Sequence, residues 1–161
     1  MLCRVCDTET TITPKQRHRY REVGLPDVVL VGIEVSRCPR CSDVRPTVPY
    51  PEELHRIVAG ALVEKRTRLS GDELRFLRQM LAWSGKDLAR QMGVSPETVS
   101  RWESGAIPIG PQADRLVRLM VVQGRLTIAY PLERLAAIDE SRASPARVDV
   151  RLGDQEWVLD G

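Results

Sequence analysis

Four cysteines stand in two matched pairs, Cys3-x-x-Cys6 and Cys38-x-x-Cys41. Two residues between cysteines let a tight turn aim both sulfurs at one point, about 2.3 Å away, as tetrahedral zinc requires. Two such turns make a closed four-sulfur site. Four thiolates leave no open position for a catalytic water, so the expected ion is a structural Zn2+. Disulfides or free buried thiols are the other readings of the same residues. The first residues show neither the basic start nor the apolar run of a secretory signal, and disulfides are improbable without one. A thioredoxin-type Cys-x-x-Cys would need a β–α–β context that these flanks do not supply.

A second set of chemistry-bearing residues lies between Ser84 and Arg101. Glu97, Thr98, Ser100 and Arg101 fall on the polar side of a short segment whose other side carries Val99 and Trp102. Such a face suits a major groove. Arg101 can donate a bidentate fork to guanine, and Thr98 can bond a base or touch a thymine methyl. Glu97 can accept from cytosine N4, repel phosphate, or simply favour the positive end of its helix. Ser84, Lys86 and the amide of Gly85, at the start of the preceding segment, are candidates for phosphate contact. Ser95 opens the Arg101 segment and joins the same set. A solvated charged face on a plain four-helix bundle is the alternative.

Positioning these groups requires two kinds of element. The 31 residues between the cysteine pairs are too many for a compact loop and predict a β-hairpin. Its strands are expected at Gln16–Val23 and Val28–Arg37, with Gly24-Leu25-Pro26-Asp27 as the turn. The zinc-binding module is thus residues 1–45, and a core so small needs a staple. From Ser70 the apolar period becomes helical. Ser70-Gly71-Asp72-Glu73 predicts a capping box, and Leu74, Leu77, Met80 and Leu81 share a face. Ser84 caps a second helix, Ser95 a third with Pro96 at its first position and Gly105 at its end. A fourth helix begins near Pro111, with Ala113, Leu116, Val117, Leu119 and Met120 as its packing side. Two short helices joined by Gly93-Val94-Ser95 and bracketed by longer ones predict a helix-turn-helix over residues 70–123.

Residues 46–69 read as a linker with a short amphipathic helix over Glu52–Arg66, preceded by an irregular stretch over Ser42–Pro51. Residues 124–161 read as an extension: a helix within Pro131–Ile138, then a hairpin turning on Gly153-Asp154. That hairpin is expected to pack on the protein's own surface or on another subunit. The whole is an α+β chain. It comprises a small zinc-ribbon-like β module, an all-α helix-turn-helix domain and a terminal hairpin.

In the 161 residues, 24 Lys and Arg oppose 22 Asp and Glu, so net charge neither demands nor excludes a nucleic-acid partner; only a local basic face would. The stretch Arg17-His18-Arg19-Tyr20-Arg21 is one basic run, readable as a solvated strand face or as a contact for phosphate or an acidic partner. No apolar run approaches the roughly 20 residues of a membrane span, and the expected location is cytoplasmic. Neither a nucleophile elbow, a phosphate-cradling glycine loop nor a carboxylate pair is present, so no enzyme and no small-molecule substrate is expected.

Met1-Leu2-Cys3-x-x-Cys6, the hairpin segment Leu30-Val31-Gly32-Ile33-Glu34 and Cys38-Pro39-x-Cys41 resemble the YgiT-type zinc-finger domain. Residues 74–120, with Leu77-Arg78, Leu88-Ala89, Gly93-Val94-Ser95 and Ser100-Arg101-Trp102-Glu103-x-Gly105, resemble the XRE/Cro-type helix-turn-helix. The order of the two is that of MqsA-like antitoxins, and the resemblance covers about residues 1–123. It implies a homodimer that binds a palindromic double-stranded operator and represses its own promoter, with a ribonuclease toxin as partner of the zinc domain. It also implies Cys3, Cys6, Cys38 and Cys41 as zinc ligands and Arg101 as a base-reading residue. The chain departs from the pattern at Gly85, where many relatives carry a phosphate-binding glutamine. It departs again at Glu97, usually an uncharged polar residue, and at Ser42, commonly glycine. The competing function is a zinc-ribbon protein-interaction adaptor whose helical unit does not bind DNA.

Overall fold

The computed structural model describes residues 1–126 and 128–161 and has an α+β architecture. β1 (Thr11–Arg19) and β2 (Val28–Arg37) form the antiparallel hairpin, with Tyr20–Asp27 as its loop. β1 therefore starts and ends earlier than the expected Gln16–Val23. Tyr20 follows β1 directly: its amide donates to Val28 O, and its ring is buried, with the Tyr20 and His55 ring centroids 6.3 Å apart. The hairpin register shifts twice, at Thr13/Gln16 and at Gln16/Arg17. Gly32 lies at the second shift with φ of 82°, a conformation that costs glycine nothing and a β-branched residue a great deal.

β3 (Val44–Pro46) pairs antiparallel with the last residues of β2, so the expected irregular stretch contains a short strand. α1 (Pro51–Glu64) starts with proline at its first turn and buries Leu54, Val58, Ala59, Leu62 and Val63. α2 (Gly71–Met80), α3 (Gly85–Met92), α4 (Pro96–Ser104) and α5 (Pro111–Arg125) follow. The expected helix near Pro131 shortens to a single turn, α6 (Glu133–Ala136). β4 (Val148–Leu152) and β5 (Trp157–Leu159) make the terminal hairpin. Its loop spans residues 153–156 rather than a two-residue turn, because Leu152 pairs with Trp157 and Gly153 N–H donates to Glu156 O.

β4 lies parallel to β2, with Val28 opposite Val148 and Val31 opposite Arg151. The terminal hairpin thus extends the first sheet in the order β1-β2-β4-β5. A parallel pair needs a long crossover between its strands. Here that crossover contains all the helices.

The same apolar residues that face inward from the sheet (Val28, Leu30, Ile33, Val35, Val150, Trp157) join one core with Leu54 and Leu62 of α1 and Leu74 and Leu77 of α2. Trp157 is 2% exposed, and its indole N–H donates to Pro49 O at 2.7 Å, so the ring is buried without an orphaned donor.

Two buried charged groups hold the helices to the segments around them. Asp114 and Arg118, four apart on α5 and fully buried, pair at 2.6 Å. Asp114 also accepts from Leu69 N–H, while Arg118 donates to the carbonyls of Val63, Lys65 and Thr67. The carbonyls of Val63, Lys65 and Thr67 thus find a charged donor at the edge of an apolar interior. The knot also revises the packing side of α5. Val117, Val121, Asp114 and Arg118 point inward, while Leu116 is 39% exposed. Glu73 is the second hub: its carboxylate accepts from Lys65 Nζ (2.6 Å), Ser70 N–H (2.9 Å) and Ala146 N–H (2.7 Å). No helix among the described residues is long and apolar enough to cross a membrane.

Candidate metal centre and nucleic-acid interface

The two Cys-x-x-Cys turns are built alike. Cys3 N–H donates to Thr8 O and Asp7 N–H to Cys3 O; Cys38 N–H donates to Asp43 O and Ser42 N–H to Cys38 O. The fourth residue past each first cysteine, Asp7 and Ser42, adopts a left-handed backbone with φ of 54° and 60°. Glycine would be unstrained there, which is the physical meaning of the Ser42 departure. β1 and β2 hold the two turns face to face. The sulfurs of Cys3 and Cys41 come within 3.5 Å and those of Cys6 and Cys38 within 3.4 Å. All four ligand atoms lie within 4.8 Å of one another. A tetrahedral ion with bonds of about 2.3 Å needs sulfur–sulfur edges of about 3.8 Å, so the set is the right size for a metal ion.

The thiols also cannot ionise independently. Hydrogen bonds from Thr8 hold Cys6 down to about 6 against a burial effect that raises it. The backbone at Asp43 favours the Cys41 thiolate, but burial and the neighbouring sulfurs prevail and push it up to about 12. The convergence of the four sulfurs lets the cysteines bind a metal ion. The donor set suits a soft or borderline ion far better than calcium or magnesium.

The helical unit positions its polar groups by capping and by two close contacts. Ser70 and Ser84 each open a complete capping box, with Glu73 and Asp87 as the reciprocal acceptors. Each cap contributes about 1 kcal/mol. Asp87 is held below the usual carboxylate range by the Ser84 hydroxyl and amide, and then by Arg90. Gly93 and Gly105 end α3 and α4 in left-handed conformations. Gly71 does something different. A side chain there would meet Glu103 O at 2.4 Å and Trp102 O at 2.6 Å, so only glycine lets the start of α2 abut the end of α4. Beside it, Glu103 accepts from Arg78 Nε (2.5 Å) and Nη2 (3.1 Å), and Arg78 Nη1 donates to Trp83 O. Arg78 and Glu103 are largely buried, which gives this fork more value than a surface pair.

α4 is thereby fixed along one side. Val99 and Trp102 are buried, at 1% and 8% exposure, while Glu97, Ser100 and Arg101 are exposed. No ion pair among the described residues engages Arg101, Lys86 or Glu97. Thr98 is half-buried, and its hydroxyl lies 2.9 Å from Ser95 Oγ, which itself accepts from Thr98 N–H. Ser84 is exposed, but its hydroxyl donates to Asp87 at 2.7 Å, so its cap is occupied as well. Lys86 is exposed on the first turn of α3.

Sequence reasoning missed the Arg78–Glu103 fork and the contact at Gly71. Arg78 and Glu103 are 25 residues apart, and Gly71 reads as filler within a capping box.

The helix-turn-helix family model matches residues 74–122. The match spans α2 to α5 and leaves out the cysteines and the terminal hairpin. No curated protein and no solved structure matches the chain. The helix-turn-helix supports a DNA-binding transcription regulator, a regulator type that is not typically enzymatic.

Proposed function

We propose that the protein is a zinc-stapled, sequence-specific DNA-binding repressor, the antitoxin and autorepressor of a toxin–antitoxin pair. In this reading it works as a homodimer in the cytoplasm. Residues 70–123 form the DNA-binding unit, residues 1–45 the zinc unit, residues 46–69 their linker and residues 124–161 an extension. Arg101 reads guanine, Thr98 bonds a base or touches a thymine methyl, and Ser100 and Glu97 line the same groove. Lys86 and the amide of Gly85 hold phosphates beside it, while Ser84 and Ser95 of the same set cap the helices that carry these contacts. Zn2+ on Cys3, Cys6, Cys38 and Cys41 is structural, and a ribonuclease toxin is the partner of that unit.

The observation that carries the reading is the two-sidedness of α4. Its apolar side is locked by Val99, Trp102 and the Glu103 fork, while an unpaired Arg101 faces solvent. A band shift with the DNA upstream of the protein's own reading frame, at two salt concentrations, tests it. Phosphate neutralisation makes affinity fall steeply as salt rises. Absence of binding, or binding indifferent to salt and sequence, overturns the repressor and leaves the interaction adaptor.

A further inference from the structure

The basic run on β1 and its loop is not used by the function proposed above. Its members divide into two kinds. Arg17 pairs with Asp149 at 2.9 Å, and His18 faces Glu22 at 3.6 Å. Arg19 and Arg21 are exposed and enter no ion pair among the described residues. Tyr20 between them is buried, and its amide donates to Val28 O, so the two arginines project from a fixed point rather than from a loose loop.

Both arginines line one open cleft of about 440 Å3, together with Gly24, Leu25, Pro26 and Asp72. Asp72 is the only acid in that lining, and it already pairs with Arg75 at 3.5 Å. Arg75 in turn reaches Glu103 at the end of α4. The cleft is therefore linked to the C-terminal end of α4 by the charged side chains of Asp72, Arg75 and Glu103.

We infer that Arg19 and Arg21 form a second phosphate-binding site, which grips the operator backbone beyond the C-terminal end of α4. This rests on the DNA-binding reading and extends it to the hairpin. Two unpaired guanidinium groups in one concavity suit a phosphate, which takes a planar fork of donors better than a point charge. Backbone contacts of this kind set register and affinity without reading bases. The cysteine-bearing hairpin would then add to DNA affinity directly, and not only as a scaffold.

The test uses the full chain, metal-loaded, with a fluorescent duplex of its own upstream region and a scrambled duplex of equal length. Affinity is measured across a salt series for wild type, for the Arg19→Ala/Arg21→Ala double variant, for Arg19→Lys/Arg21→Lys, and for Arg101→Ala. The inference predicts that the alanine pair weakens both duplexes by a similar factor, and that the slope of log affinity against log salt drops by about one for each lost contact. The lysine pair should restore most of that slope, while Arg101→Ala should lose discrimination between duplexes instead. Matching thermal melts establish that the variants fold.

An unchanged slope in the alanine pair, with Arg101→Ala still losing discrimination, overturns the second site and leaves the repressor standing. No salt-dependent binding by wild type overturns both.

Discussion

The cysteine end of the sheet and the helix-turn-helix unit achieve order by different means. β1 has no buried residue along its length, and the two knuckles beyond it bury little more than Cys3 and Cys38. What converges there is four sulfurs placed to hold a metal ion. The helical unit spends nothing on metal. Complete capping boxes, a glycine-permitted helix contact, a buried guanidinium–carboxylate fork and an aliphatic core hold it. The lesson is that the two regions should fail separately at their far ends and together at their junction, because β2 belongs to both the knuckles and the common core.

Metal removal should separate the regions most sharply. Structural zinc contributes on the order of 10 kcal/mol to small metal domains. A chelator, or Cys38→Ser, should abolish amide-exchange protection in residues 1–15 and 38–46 while helices α2 to α5 keep theirs. Equal loss of protection in both regions would mean that the helices depend on the metal too. Arg118→Met acts at the junction instead. It leaves Asp114 charged and buried without its partner, which costs about 3–5 kcal/mol, and a chemical denaturation midpoint should fall accordingly. A near-neutral result would show that water enters the knot. Gly71→Ala is local to the helical unit. Its added carbon meets the end of α4, and the resulting shift should cost about 1–3 kcal/mol and weaken DNA binding, with metal content unchanged.

The parts of this structure that were legible in the sequence are those that depend on near neighbours. Ser70, Ser84 and Ser95 announce their helices because each side chain bonds a backbone amide three residues on. The cysteine pairs announce a shared site because two-residue spacing has few other uses. What was not legible is non-local or ambiguous in character. Nothing in Val148–Leu152 says that its partner is β2, parallel, across a crossover of more than a hundred residues. Nothing in the sequence marks Asp114 and Arg118 as buried, because their further partners are backbone groups of residues 63–69, some 45 to 55 positions away. Leu116 reads as core for the same reason, since helical spacing alone does not show which side a buried ion pair will take. The exposed residues of α4, Glu97, Ser100 and Arg101, follow from the inward pair Val99 and Trp102.

The central claim is that the exposed side of α4 reads bases. Discrimination by Arg101→Ala, measured as the ratio of affinities for the upstream duplex and a scrambled one at fixed salt, tests it most directly. Loss of a bidentate base contact predicts a fall in that ratio equivalent to about 1–3 kcal/mol. A ratio that stays at the wild-type value in a folded Arg101→Ala protein would contradict it.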